Sequence, residues 1–171
     1  LGHRERIYGA SRLYVVPSDG SAPPRELSPE PAIGPLVGTG VESDVRVTAD
    51  GTHALYRADQ GEHDGHELFS VPTDGSASPI ALNSLLPVDH IRAGFVTAYC
   101  LSSDGQRAAY VAGQRSVDRH ELFVTAADGS GTPLLLHSFE GPGFVADDLG
   151  YAPMARASCT GRERASSSRS S

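Results

Sequence analysis

Three stretches of this chain align without a gap: Arg12 to Leu27 (RLYVVPSDGSAPPREL), Glu67 to Leu82 (ELFSVPTDGSASPIAL) and Glu121 to Leu136 (ELFVTAADGSGTPLLL). Their Asp-Gly pairs, Asp19-Gly20, Asp74-Gly75 and Asp128-Gly129, stand 55 and 54 residues apart. Leu13, Leu68 and Leu122 keep step with them, as do Pro24, Pro79 and Pro133. A second stretch recurs upstream of the last two copies, Val47 to Asp59 (VTADGTHALYRAD) and Leu101 to Gly113 (LSSDGQRAAYVAG). A fixed period of this kind marks a repeat array, in which each unit buries its apolar faces against its neighbours.

Within one unit the pattern reads strand, turn, strand, loop, strand, turn, strand. Val41 to Ala49 is expected as a first strand, ended by Asp50-Gly51, and His53 to Ala58 alternates as a second. After the polar loop Asp59 to His66, Glu67 to Val71 makes a third strand, and a short fourth lies around Pro79 to Leu82. Asp-Gly between apolar runs predicts tight type I′ turns, with positive φ at both central residues. Proline cannot donate to a ladder, so the strand that Pro79 and its counterparts mark belongs on a sheet edge. Four short antiparallel strands with such an edge form one blade of a β-propeller. The expected fold class is therefore all-β, a propeller segment of about three four-stranded antiparallel blades that is too short to close a ring. The blades span 1–153, with repeats near 7–40, 41–94 and 95–140. Ser28 to Gly40 and Asn83 to Gly94 are long inter-blade connections, the kind of surface segment on which binding residues concentrate.

The pattern Ala49-Asp50-Gly51, Ala54, Tyr56, then Glu67-Leu68-Phe69 and Asp74-Gly75-Ser76, resembles the WD40-like (PD40) propeller repeat of TolB-like proteins. It recurs at Ser103-Asp104-Gly105, Ala108, Tyr110, Glu121-Leu122-Phe123 and Asp128-Gly129-Ser130. The resemblance runs over roughly residues 7 to 140 and departs from the family in having no Trp before the Asp-Gly pair, since the chain holds 0 Trp. It implies a non-catalytic module or scaffold that binds another protein or a peptide through propeller-face loops and the channel-lining first strands. A periplasmic or extracytoplasmic setting would go with that role. Related repeats also form the substrate-gating propeller of prolyl-oligopeptidase-like serine peptidases, which implies an alternative in which the hydrolase domain lies elsewhere and the setting is cytoplasmic. A non-functional gene fragment is a third reading, since an open array exposes apolar sheet faces at both ends.

The end of the sequence changes character. Residues 154–171 (MARASCTGRERASSSRSS) lack alternation and turn chemistry, and Ser158-Cys159 stands where the period calls for another Asp-Gly. The expectation is an out-of-frame end of a longer gene, with a disordered basic tail as the alternative. At the other end, Leu1-Gly2-His3-Arg4-Glu5-Arg6 contains no apolar core of a signal peptide.

Charge and motif content restrict the chemistry. A formal net charge of -7 argues against a nucleic-acid partner, which requires clustered cations. No window approaches the twenty or so apolar residues of a membrane-spanning helix. Cys100 and Cys159 do not make a disulfide framework, and Cys100 reads as a buried thiol in an apolar strand. Neither a Gly-x-Ser-x-Gly elbow, a Walker A loop nor Gly-x-Gly-x-x-Gly occurs, and the Ser after each Asp-Gly belongs to a repeated turn. No residue is assigned a catalytic role and no cofactor is expected. The sharpest local candidate is the loop Asp59, Glu62, His63, Asp64, His66, whose oxygens and imidazoles suit Ca²⁺ or Zn²⁺. Its spacing matches neither an EF-hand nor a His-Glu-x-x-His helix, so a solvated hairpin loop is the stronger reading. Arg115 and Arg119 form a loop suited to an acidic partner or simply to water, and the adjacent Asp147 and Asp148 need not converge on one strand face.

Overall fold

The computed structural model of the protein describes residues 11–29, 40–59, 65–84, 95–115, 119–139 and 149–150. They form an all-β structure of three sheets whose ladders are antiparallel, with no helix among the described residues. The first sheet pairs β1 (Tyr14–Val15) with β2 (Arg25–Glu26). The second holds β3 (Gly40–Val41), β4 (Arg46–Val47), β5 (His53–Asp59), β6 (Glu67–Pro72) and β7 (Ile80–Ala81). Its order is β3-β5-β6-β7, with β4 also on β5. The third is the meander β8 (Val96–Leu101), β9 (Arg107–Ala112), β10 (His120–Ala126) and β11 (Leu134–Phe139). The proline-marked strands β7 and β11 lie at sheet edges, where a missing donor costs no ladder bond.

The sheets stack in sequence order because strand alternation gives each one two apolar faces. One face of the middle sheet, with Ala54, Tyr56, Ala58, Phe69 and Val71, packs on Leu13, Val15 and Leu27 of the first. The other face, with Leu55, Leu68 and Leu82, packs on Tyr99, Tyr110 and Phe123 of the third. Being covered on both sides, β5 buries Ala54, Leu55 and Tyr56 in succession. The repeat carries its own aromatic pair: Tyr56 stacks on Phe69 at 5.6 Å between centroids, and Tyr110 on Phe123 at 5.3 Å. Such pairs contribute about 0.5–1.5 kcal/mol beyond the area they bury. Cys100 is buried on the far face of the third sheet, with Ala109, Val111 and Leu122.

Polar bonds also cross between sheets. The Tyr99 hydroxyl donates to the carbonyl oxygens of Asp44 and Leu55, and burial pushes its ionisation upward. Arg57 donates from Nη1 to the carbonyl oxygens of Val96 and Thr97, and from Nε to Asp44 Oδ2 at 3.0 Å. Arg25 of β2 donates to the carbonyl oxygens of Asp74 and Gly75 in the next sheet, at 2.7 and 2.6 Å.

Two local expectations need correction. The strand expected across Val41 to Ala49 is split into β3 and β4, because Asp44 turns its side chain to Arg57 and its carbonyl to Tyr99 instead of the ladder. The Asp-Gly turns are not type I′: positive φ occurs at the glycines, for example Gly75 at 63° and Gly105 at 73°, and at no other residue type among the described residues. In each, the glycine N–H returns to the carbonyl three residues back, as Gly20 does to Pro17 and Gly105 to Ser102. This is a type I turn followed by a left-handed glycine. An aspartate at the position before glycine then keeps negative φ and frees its carboxylate for the backbone.

Candidate functional site

The antiparallel meander sends the Asp-Gly turns at Gly20, Gly51, Gly75, Gly105 and Gly129 to one end of the sheets. At the turn end each aspartate Oδ1 accepts the amide two residues on: Ser21, Thr52, Ser76, Gln106 and Ser130, at 2.9–3.0 Å. These bonds, with those from neighbouring Ser and Thr hydroxyls, hold Asp19, Asp50, Asp74, Asp104 and Asp128 below the ordinary carboxyl range. Asp50 goes furthest, to about 2, because the Thr48 hydroxyl joins the Thr52 amide and hydroxyl on the same oxygen.

Between the second and third sheets this end opens into a cleft of about 570 Å³. Thr48, Asp50, Thr52 and His53 line it from one sheet, and Gln106, Arg107, Thr125, Asp128 and Ser130 from the other. Thr52 Oγ1 lies 3.0 Å from His53 Nδ1 and 2.8 Å from Asp50 Oδ1. The charge of His53 in turn contributes to the lowered pKa of Asp128, after the hydrogen bonds from Ser130. The walls therefore carry two ionised carboxylates, several hydroxyls, one amide, one imidazole and one guanidinium. That set suits recognition of a polar, hydrogen-bonding ligand.

Of the sequence-derived metal loop, Asp59 and His66 are described, and they lie at the opposite end of the strands. Asp59 is buried at the end of β5, and His66 is half-buried before β6. His66 Nε2 sits 2.9 Å from Glu42 Oε1, though out of hydrogen-bond alignment, and its ring lies 5.9 Å from Phe95. Glu62, His63 and Asp64 fall outside the described residues, as do Asp147, Asp148 and Cys159. Among the described residues no three His, Cys, Asp or Glu side chains form a metal-holding group. No described helix is long and apolar enough to cross a membrane.

Arg115, read from the sequence as a solvent or partner contact, is tied into the fold instead. Its Nε and Nη2 both lie 2.5 Å from Oε1 of the buried Glu121, and Nη2 also donates to Ser138 Oγ at 3.0 Å. Arg119 is exposed. Sequence reasoning missed the cleft, because its residues come from turns of two different units. The available signal was the strand count: two strands separate successive Asp-Gly pairs within a unit, so their turns share one end. A scan of family models, a search of curated proteins and a search of solved structures each returned no match to this chain.

Proposed function

We propose that the chain is a β-propeller segment of the TolB-like kind, working as a non-catalytic module that binds a peptide stretch of another protein. The observation that carries this reading is the cleft between two copies of the repeat, whose Asp50 and Asp128 stay ionised well below neutral pH. Concave sites between repeated units, with a few converging polar groups, are where binding modules hold ligands. A peptide carrying Arg or Lys fits best, since its cation can meet Asp50 or Asp128 while the hydroxyls and Gln106 bond its backbone. The TolB-like repeat pattern supports the same class of role.

A phage-displayed dodecapeptide library selected on the immobilised chain tests this reading. Enriched peptides should contain basic residues, and their binding should fall at least tenfold with Asp50→Asn plus Asp128→Asn. Gln106→Trp, which fills the cleft, should abolish it. A library that yields no enrichment, or peptides indifferent to these variants, overturns the reading.

A further inference from the structure

We propose that this protein binds a second copy of itself head to tail, the first sheet of one copy packing on the third sheet of the other. The inference goes beyond the peptide-binding reading and does not depend on it.

The two sheet–sheet contacts inside the chain are built alike. In each, the edge strand of one sheet sends a side chain over the Asp-Gly turn of the next: Arg25 over Gly75, and Ile80 over Gly129. The leucine two residues after that side chain is buried against the next sheet, Leu27 at 7% exposure and Leu82 at 3%. From the opposite side of each contact come Phe69 at 9% with Val71 at 1%, and Phe123 at 4% with Thr125 at 5%.

Both halves of this contact occur once more in the chain, and both are open. On the first sheet the counterparts of the buried aromatic and its neighbour are Tyr14 and Val16, exposed at 52% and 54%. At its turn glycine, Gly20, a Cβ would meet nothing within 4 Å, whereas Gly75 and Gly129 are each covered. On the third sheet the covering residue is Leu134 and the following leucine is Leu136, exposed at 61% and 42%.

On the third sheet, Leu149 packs with Cys100, Ala109, Val111 and Leu122, leaving Leu134 and Leu136 of β11 open beside it. The first sheet consists of just two strands among the described residues, β1 and β2. A pair of strands thus meets the open outer strip of another sheet, in the arrangement already used twice within the chain. The occupant that carries the missing half is a second copy of the same chain. Such a contact joins unlike surfaces, so it closes into a ring if the rotation permits and otherwise propagates.

Sedimentation velocity over a concentration series, with the whole chain, tests the proposal. The wild type should sediment as a dimer or larger species that dissociates on dilution. Leu136→Arg and Tyr14→Arg should each be monomeric with unchanged circular dichroism, since both side chains are exposed in the single chain. Mixed in equal amounts, these two variants should form a dimer that grows no further, because one intact junction remains between them. Should Leu136→Arg fail to fold, Leu134→Glu on the same strand replaces it. A wild type that stays monomeric at millimolar concentration overturns the proposal. So does association that both single variants leave intact, or a mixture that stays monomeric.

Discussion

Arg115 closes on Glu121 from six residues upstream, with Nε 2.5 Å from Oε1 and the backbone amide of Arg115 3.2 Å from Oε2. Glu121 is fully buried while Arg115 stays largely in water, so the guanidinium and Ser138 Oγ stand in for the hydration the carboxylate has lost. Charged hydrogen bonds of this kind stabilise by about 1.5–3 kcal/mol, and removing the donor leaves a buried charge. Arg115→Ala should therefore destabilise the protein by about 2–3 kcal/mol in urea unfolding. Arg119→Ala, with its side chain exposed, should change stability by less than about 0.5 kcal/mol.

Glu67 occupies the same repeat position as Glu121 and responds to pH with the sign opposite to that of the turn aspartates. Burial, with the nearby charge of Asp59, pushes the Glu67 carboxyl up from its ordinary value. A raised folded-state pKa means that its charge opposes folding as pH rises above about 4.5. The aspartates are lowered, so their contribution is present above pH 3.8 and is lost as pH falls, in the case of Asp50 down to about 2. Glu67→Gln should raise the melting temperature at neutral pH and shrink in effect as the solution is acidified. Asp50→Asn and Asp104→Asn should flatten the acid limb of the melting curve. Parallel pH profiles of Tm for the three variants check both signs.

Ser70 is fully buried in β6, and its hydroxyl finds no hydrogen-bond partner. The corresponding positions of the other two copies carry Val15 and Val124. An unsatisfied buried hydroxyl costs about 1–3 kcal/mol, so Ser70→Val should raise stability by about 1 kcal/mol after some loss to tighter packing. A shift of the urea midpoint upward, with an unchanged m value, is the expected readout.

Gly129 and Gly20 have the same left-handed backbone, with φ 74° and 69°, but different surroundings. Ile80 lies over Gly129 and leaves no room for a Cβ, whereas the space at Gly20 is open. Gly20→Ala should cost about 1–2 kcal/mol for the backbone alone. Gly129→Ala should cost a further 1 to 3 or so kcal/mol for the clash. Adding Ile80→Ala to Gly129→Ala should recover much of that difference. Unfolding measured under dilute conditions, where no second copy covers Gly20, separates the two contributions.

The strands, their edge order and the recurring core positions were legible in the residues, because alternation, Asp-Gly spacing and proline placement are local properties of the backbone. Leu55, Tyr56, Leu68, Tyr110 and Phe123 fall on buried strand positions for that reason. The turn type departs from expectation because the rule for two-residue hairpins does not apply where the aspartate carboxylate caps the following amides and only the glycine needs positive φ. The break between β3 and β4 was not legible either, since it arises from Arg57 and Tyr99, which are distant in sequence.

What the sequence determined by itself is an all-β chain of repeated antiparallel units punctuated by Asp-Gly turns. Only the tertiary structure decided which faces meet: that Arg115 serves Glu121, that Thr48, Asp50 and His53 share a cleft with Gln106 and Asp128, and that Tyr14 and Leu136 are left uncovered. The physical reason is range. Alternation and turn propensity act over a few residues, whereas cleft and interface depend on how one sheet's side chains fill the face of the next, some fifty residues along the chain.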